Sequence, residues 1–350
     1  LLRTFASRFP GVEQEGSVVP SSARAGVIDE RRRWLWAGTR RHIPRPGKGT
    51  EERMKISCCW LYAISKYGYP PSIENSFRAI REMAALGFRY VELEGVGEAN
   101  MLAVWERRGD FAELCRELGV QIVNFCPILP QLFSSVDSER RRGLELFELG
   151  VELARYFGAP TVQIDSFTPP VEFVGDAPYR EALAFGKPFR VRVNPEFDYE
   201  RYWAILVEMT RECARRAGRA GLWLTMEPRV GESVSNTDAL LRLIEHVGEP
   251  NFGAVLDTAH LHAQKEILPL SVEKLGRRIR YLHVADNDGR DNLHLALGEG
   301  TIDFEGVFLA LKKHGFRGYV AVDVGHVPDL DDAYRRSVAY LEALARQLGV

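Results

Sequence analysis

Four ionisable residues stand at the ends of short apolar runs in the second half of the chain. Glu227 ends LWLTME, Asp257 ends GAVLD, His283 lies in IRYLHVA, and Asp323 ends YVAVD. Any one of them alone would cap a loop or pair with an arginine. Three carboxylates brought together repel and protonate unless a positive charge sits among them. One imidazole with three carboxylates is an oxygen-rich donor set for Mn²⁺, Mg²⁺ or Co²⁺, with Zn²⁺ also compatible. Such an ion, acting as a Lewis acid, stabilises the enediolate left when a proton departs beside a carbonyl. One carboxylate takes the proton, and a second on the opposite side returns it with inverted configuration. Loss of a β-hydroxyl from the same intermediate gives dehydration instead.

Strand geometry is what would bring these residues together. Side chains alternate along a strand, so Trp223, Thr225 and Glu227 share one face, and Ala321 and Asp323 share another. Eight β-rich runs are expected: Lys55–Leu61, Phe88–Leu93, Val120–Cys126, Thr161–Asp165, Leu222–Glu227, Gly253–Asp257, Ile279–Ala285 and Tyr319–Asp323. Amphipathic helical runs separate them: Ile73–Leu86, Phe111–Leu118, Ser138–Phe157, Tyr199–Arg219, Thr237–Val247, Ser271–Arg278, Phe304–His314 and Asp332–Leu348. Eight alternations over residues 54–350 predict a single (β/α)8 TIM barrel of the α/β class. The proline-rich stretch 167–198 predicts an extended loop after strand four, on the face where barrels hold their sites. A doubly wound sheet is the competing fold, but it calls for a glycine-rich turn after strand one. The turn Tyr62–Tyr69 holds only Gly68.

The 350 residues are 45% hydrophobic and 27% charged, with a formal net charge of −2. That balance fits a globular protein and gives no support for a nucleic-acid or membrane partner. Five cysteines without a CxxC pair read as reduced thiols, which favours a cytoplasmic setting. No run of about 18 apolar residues suggests a membrane span. Residues 1–53 differ from the rest, with eleven Lys and Arg against six Asp and Glu. They show no helical or strand period, and six acids argue against a transit peptide. Glu51-Glu52-Arg53-Met54 can be encoded by a purine-rich, ribosome-binding-like string before a start codon. The expectation is a basic, unstructured or upstream segment, with the catalytic domain beginning at Met54.

From Met54 onward the chain resembles the xylose-isomerase-like barrels of the sugar phosphate isomerase/epimerase superfamily. Ketose 3-epimerases, inosose dehydratases and hydroxypyruvate isomerases belong to it, and endonuclease IV is a distant member. The segments that carry the resemblance are GFRYVELEG (87–95), LTMEPRVGE (224–232), AVLDTAHLH (254–262), YLHVADNDGRDNLHLALGEGTIDF (281–304) and GYVAVDVG (318–325). It implies metal ligands at Glu227, Asp257, His283 and Asp323, with Glu227 and Asp323 also shuttling protons. It implies substrate-binding residues at His260, near Arg290 and at Glu92. The chain departs from the epimerase pattern at Asp323, where those enzymes carry the longer glutamate.

Further candidates come from position alone. Arg229, two residues after Glu227, could bind substrate or pair with an acid. His294 could reach the metal or substrate from its loop, and His262 could support the site. The amides of Gly298-Glu299-Gly300 could hold a phosphate at a helix N-terminus, although Glu299 opposes an anion. Trp60, Tyr62 and Phe125 could stack on a sugar face or belong to the core. The leading expectation is a metal-dependent isomerase or epimerase of a small ketose or keto-sugar derivative, with one divalent ion, Mn²⁺ foremost. The first alternative is a lyase using the same site, by dehydration of a keto-cyclitol or cleavage of a keto-glycoside. An endonuclease-IV-like phosphodiesterase would need histidines on the early strands, and strands one to four contain none. A non-catalytic sugar-binding barrel would bind ligand without proton exchange. The expected partner is a small sugar, and homo-oligomers are common in the superfamily.

Overall fold

Apolar residues in the eight expected strand runs have one face for helices and one for a lumen, and that pattern closes into a barrel. The computed structural model describes residues 54–175, 185 and 187–349. The segment 1–53 and part of the stretch after strand four, residues 176–184 and 186, lie outside the described residues.

The barrel strands are β1 (Lys55–Cys58), β2 (Tyr90–Val96), β3 (Gln121–Ile128), β4 (Thr161–Ile164), β7 (Trp223–Met226), β8 (Phe252–Asp257), β9 (Ile279–Val284) and β10 (Tyr319–Val322). They pair in parallel, in the closed order β1-β10-β9-β8-β7-β4-β3-β2. Each expected strand run is present, and the fold is the TIM barrel the alternation predicts. Two short strands, β5 (Val171–Phe173) and β6 (Val191–Val193), form an antiparallel pair within the stretch expected to be loop.

The helices α2 (Ile73–Ala85), α4 (Arg108–Leu118), α5 (Asp137–Phe157), α6 (Tyr199–Arg219), α7 (Thr237–Val247), α9 (Leu268–Leu275), α10 (Phe304–Lys313) and α11 (Leu330–Leu348) follow the expected runs. Three short helices were not expected: α1 (Leu61–Tyr67), α3 (Gly97–Glu106) and α8 (Thr258–Ala263). Local chemistry sets the ends. Asp198 starts α6 by accepting the Arg201 amide at 3.1 Å, and Asn236 starts α7 by accepting that of Ala239 at 2.8 Å. Along α6, Leu206, Met209, Cys213 and Ala217 recur on the buried face. Outward strand residues such as Leu224, Met226, Leu282 and Val322 are fully buried beneath these helices. Each such side chain contributes about 1.5–3 kcal/mol of burial.

The lumen holds a separate small cluster of Cys59, Val123, Val255, Tyr281 and Ala321. Polar groups inside the barrel pair with each other: Ser57 with Tyr281 at 2.8 Å, and Asn124 with Gln163 at 2.9 Å. Two register skips shape the layer above. Val91 pairs with Ile122 but Glu92 with Asn124, leaving Val123 extra in β3. Ala254 pairs with Ile279 but Val255 with Tyr281, leaving Arg280 extra in β9. The second skip sets His283, rather than Leu282, beside Asp257 at the strand ends. Among the described residues no helix is long and apolar enough to cross a membrane.

Candidate active site

Glu227, Asp257 and His283 meet at the C-terminal mouth, one each from the ends of β7, β8 and β9. Their donor atoms all lie within 4.8 Å of one another. His283 Nδ1 is 2.7 Å from Glu227 Oε1 and 3.9 Å from Asp257 Oδ2. Asp323, just past β10, forms a second such set with Asp257 and His294, and a third with Cys59 and His283. All four expected ligands are nearly inaccessible, from 0% to 5% exposed, so their charges are not dissipated by water.

The chain's own groups fit a cation here. Burial and Glu227 push the Asp257 carboxyl well above the usual range, and its Oδ2 has no hydrogen-bond partner. Burial opposes an imidazolium at His283, but Glu227 and Glu92 outweigh it and raise its proton affinity. Burial would likewise raise Glu227, but His283 outweighs that and holds its carboxyl below the ordinary range. A proton on His283 therefore stands where positive charge is required. Three buried carboxylates and one imidazole, with an orphaned Asp257 oxygen, make a donor set that could hold a divalent ion.

Glu92, expected at a substrate hydroxyl, hydrogen-bonds to protein groups. Its Oε1 meets His283 Nε2 at 3.0 Å and the Asn124 amide at 3.4 Å, while Oε2 accepts the Trp60 N–H at 3.2 Å. That leaves Nδ1 of His283 as the nitrogen facing Glu227 and Asp257. A carboxylate on the far nitrogen is the usual orienting partner of a metal-ligating histidine.

His260 lies beside this group. Its backbone N–H donates to Asp257 Oδ1 at 2.8 Å. Its Nδ1 accepts the Val230 N–H at 3.1 Å and faces the Asn292 side-chain nitrogen at 3.1 Å. Burial, with the nearby Arg229, pushes the imidazole down to about 3. The ring is therefore neutral with its proton on Nε2, a hydrogen-bond donor. His294 sits edge-on to it, with ring centroids 5.3 Å apart. His294 Nδ1 meets Asp323 Oδ2 at 3.0 Å. Burial opposes its charged form, but Asp323 prevails and raises it to about 9.

Arg229 pairs with acids. Its Nη1 is 2.7 Å from Asp165 Oδ2 and 3.8 Å from Glu232 Oε1, and its Nε is 3.6 Å from Glu227 Oε2. Glu232 also accepts the Ser166 and Phe167 N–H groups, each at 3.0 Å. Arg290 is exposed on a turn where its own amide donates to Asp288 at 2.8 Å. Among the described residues no hydrogen bond or ion pair ties its guanidinium to the cluster. His262 meets Thr301 at 3.0 Å rather than the cluster. Trp60, Tyr62 and Phe125 are fully buried core residues. The amides considered for a phosphate at Gly298 and Glu299 are already committed, that of Gly298 donating to Asp286 Oδ2 at 3.0 Å and that of Glu299 to Ala296 O at 3.1 Å.

Sequence reasoning passed over Asp165, Glu232 and Cys59. Asp165 ends the fourth strand run as Glu227 ends the fifth, so the same strand-end rule would have found it. Cys59 directly follows the β1–β10 pairing of Cys58 with Val322, which places it level with Asp323.

A parallel eight-stranded barrel with a buried carboxylate–histidine mouth is the class this geometry defines. The chain belongs to the family described as Xylose isomerase-like TIM barrel, whose model matches residues 80–344. It is 27% identical over 125 residues to fructoselysine 3-epimerase of Escherichia coli O157:H7, covering 35% of this chain and 46% of that protein. The chain thus spans a little under half the length of that relative. It is 24% identical over 262 residues to the L-ribulose-5-phosphate 3-epimerase UlaE of Shigella flexneri serotype 5b, covering 73% and 84%. In fold it is similar to the 3-keto-D-glucoside 4-epimerase YcjR of E. coli, with a TM-score of 0.63, 19% identity, and 83% and 100% of the two chains covered.

Proposed function

We propose that the protein is a divalent-metal-dependent isomerase or epimerase of a small ketose or keto-sugar derivative. The observation that carries this is the convergence of Glu227, Asp257 and His283 within 4.8 Å, with Asp323 in an overlapping set. These four residues would hold the ion, and the oxygen-rich donors favour Mn²⁺. When bound, the ion supplies Lewis-acid stabilisation of the negative charge that develops on substrate oxygens beside a carbonyl.

The chain's own groups supply the rest. Glu227 commits Oε1 to His283 and turns Oε2, 3.6 Å from Arg229 Nε, to a proton at the substrate carbon. Asp323 commits Oδ2 to His294 and keeps Oδ1. The two come from strands separated by β8 and β9, so they reach a substrate between them from different sides, as inversion requires. His260 Nε2–H donates to a substrate oxygen. The epimerase names of the relatives support the choice of an epimerase reading. The same reading takes the protein to act on a small sugar without a nucleic-acid or membrane partner.

A lyase reading is favoured by one observation. His294 stands against Asp323, whose carboxylate raises its proton affinity, an arrangement suited to protonating a departing hydroxyl. The full chain, loaded with Mn²⁺, is incubated in D₂O with ketoses, keto-inositols and their phosphates, and followed by proton NMR. Chelator-sensitive loss of a carbon-bound proton signal is expected, and the product separates epimer, isomer and dehydration product. No exchange on any member, with metal bound, would sink the reading.

A further inference from the structure

We propose that the barrel mouth accepts an unphosphorylated keto-sugar and turns sugar phosphates away, because the chain fills its own anion positions with carboxylates. This rests on the reading above of a keto-sugar enzyme and names its substrate class.

Barrels of this type commonly seat a phosphate on the loops after the last two strands, against backbone amides. In this chain Asp286, 1% exposed, already holds those amides. Its Oδ1 accepts from Asn287 N at 2.9 Å and Ile302 N at 3.1 Å, and its Oδ2 from Gly298 N at 3.0 Å. The Thr301 amide is committed to Asn287 O at 2.9 Å. The side chain of Glu299, in the same loop, pairs with Arg336. A phosphate entering here would have to displace the buried Asp286 carboxylate and face the exposed Glu299.

The second position is Arg229, a side chain whose fork suits phosphate. It is already shared by Asp165 at 2.7 Å, Glu227 at 3.6 Å and Glu232 at 3.8 Å. Three acids already share its single positive charge, so the guanidinium has little left to offer a phosphate.

Beside Arg229 two buried carboxyl oxygens lack partners. Asp165, 2% exposed, has no partner at Oδ1, and Glu94 has none at a buried Oε2. Buried polar atoms left without partners are costly, so a ligand whose groups can both donate and accept gains by meeting them. Sugar hydroxyls do both, and an ionised phosphate only accepts.

The test compares L-ribulose with L-ribulose 5-phosphate, and D-fructose with D-fructose 6-phosphate, on the Mn²⁺-loaded full chain. Binding is read by calorimetry and turnover by proton exchange in D₂O. The free ketose of each pair is expected to bind at least about tenfold tighter and to carry any exchange. Phosphates that bind equally or more tightly, or binding by neither member of either pair, would overturn the proposal. Tighter binding of the free ketoses without exchange would support this subsite while removing the proposed reaction. In a second arm, Asp165→Asn releases Arg229 from one carboxylate. The preference for the free ketose should then narrow several-fold, and an unchanged ratio in a folded variant counts against the proposal. The wild-type comparison decides even where that variant does not fold.

Discussion

His294 and Asp323 are joined through a single ring nitrogen. Nδ1 of His294 lies 2.8 Å from the Asp323 carbonyl oxygen and 3.0 Å from its carboxylate Oδ2. Burial opposes charge on His294, but the Asp323 carboxylate outweighs it and raises the imidazole from 6.5 to about 9. A raised folded-state pKa stabilises the fold fully below the unfolded value, and that contribution is lost as pH rises through the folded value. The metal-free wild type should therefore lose thermal stability between about pH 6.5 and pH 9. His294→Gln should show a flatter profile over the same window. Melting temperatures measured in chelator across that range check this, and parallel profiles would refute it.

Glu92 is hydrogen-bonded to His283, and its expected effect runs through that ring. With His283 Nε2 at 3.0 Å from Glu92 Oε1, the carboxylate sets which nitrogen faces Glu227 and Asp257. Glu92→Gln keeps the shape but weakens the orienting bond. Metal affinity should fall by about 10–100-fold, the usual cost of losing such a partner. Substrate KM at saturating metal should change little, whereas loss of a substrate-binding residue would raise KM. Metal titration by calorimetry and steady-state kinetics at high Mn²⁺ separate the two.

The strand-end pattern made most of this site legible before any coordinates. Glu227, Asp257, His283 and Asp323 each follow an apolar run, and period-2 alternation sends them inward. The eight strands were legible for the same reason. What stayed hidden depended on register or on very short elements. Whether Arg229 meets Asp165 depends on how β4 aligns with β7, where Gln163 pairs with Thr225 and Ile164 with Met226. No local pattern encodes that alignment. The link of Glu92 to His283 joins residues 191 positions apart across the lumen. The helix α8 was missed because Asp257 was read as a ligand only. It is also the N-cap of that helix, accepting the His260 amide at 2.8 Å. The helix α1 follows β1 so closely that its first residue, Leu61, reads as strand.

Binding of the proposed divalent ion should stabilise the barrel. The ion would neutralise carboxylates that are buried at the mouth, among them Asp257, whose Oδ2 has no partner. An ion that binds only the folded state adds about 2.7 kcal/mol at a hundredfold excess over its Kd. The melting temperature should rise with Mn²⁺ concentration and fall on adding chelator. In a variant carrying both Asp257→Asn and Glu227→Gln, the dependence should vanish. A melting temperature indifferent to Mn²⁺ in the wild type would contradict the donor set.

Gly300 is required by the carboxylate that fills the loop after β9. A Cβ there would lie 2.3 Å from both Asn287 O and Asp286 Oδ1, and 2.6 Å from Asn287 N. Two of these three atoms are backbone, so they cannot swing aside. Relief would come by moving Asp286, which holds the Gly298 and Ile302 amides at 3.0 and 3.1 Å. Gly300→Ala should therefore cost about 1–3 kcal/mol, the usual penalty for overpacking. The loss should appear locally as faster hydrogen exchange at the amides of Gly298, Thr301 and Ile302, with the β7–β8 amides unchanged. Gly298→Ala meets only the Tyr340 ring, at 3.2 Å, but its backbone has a positive φ of 88°. It should destabilise through backbone strain while leaving the amides around Asp286 protected. Equal exchange patterns in the two variants would show that Asp286 does not organise this loop.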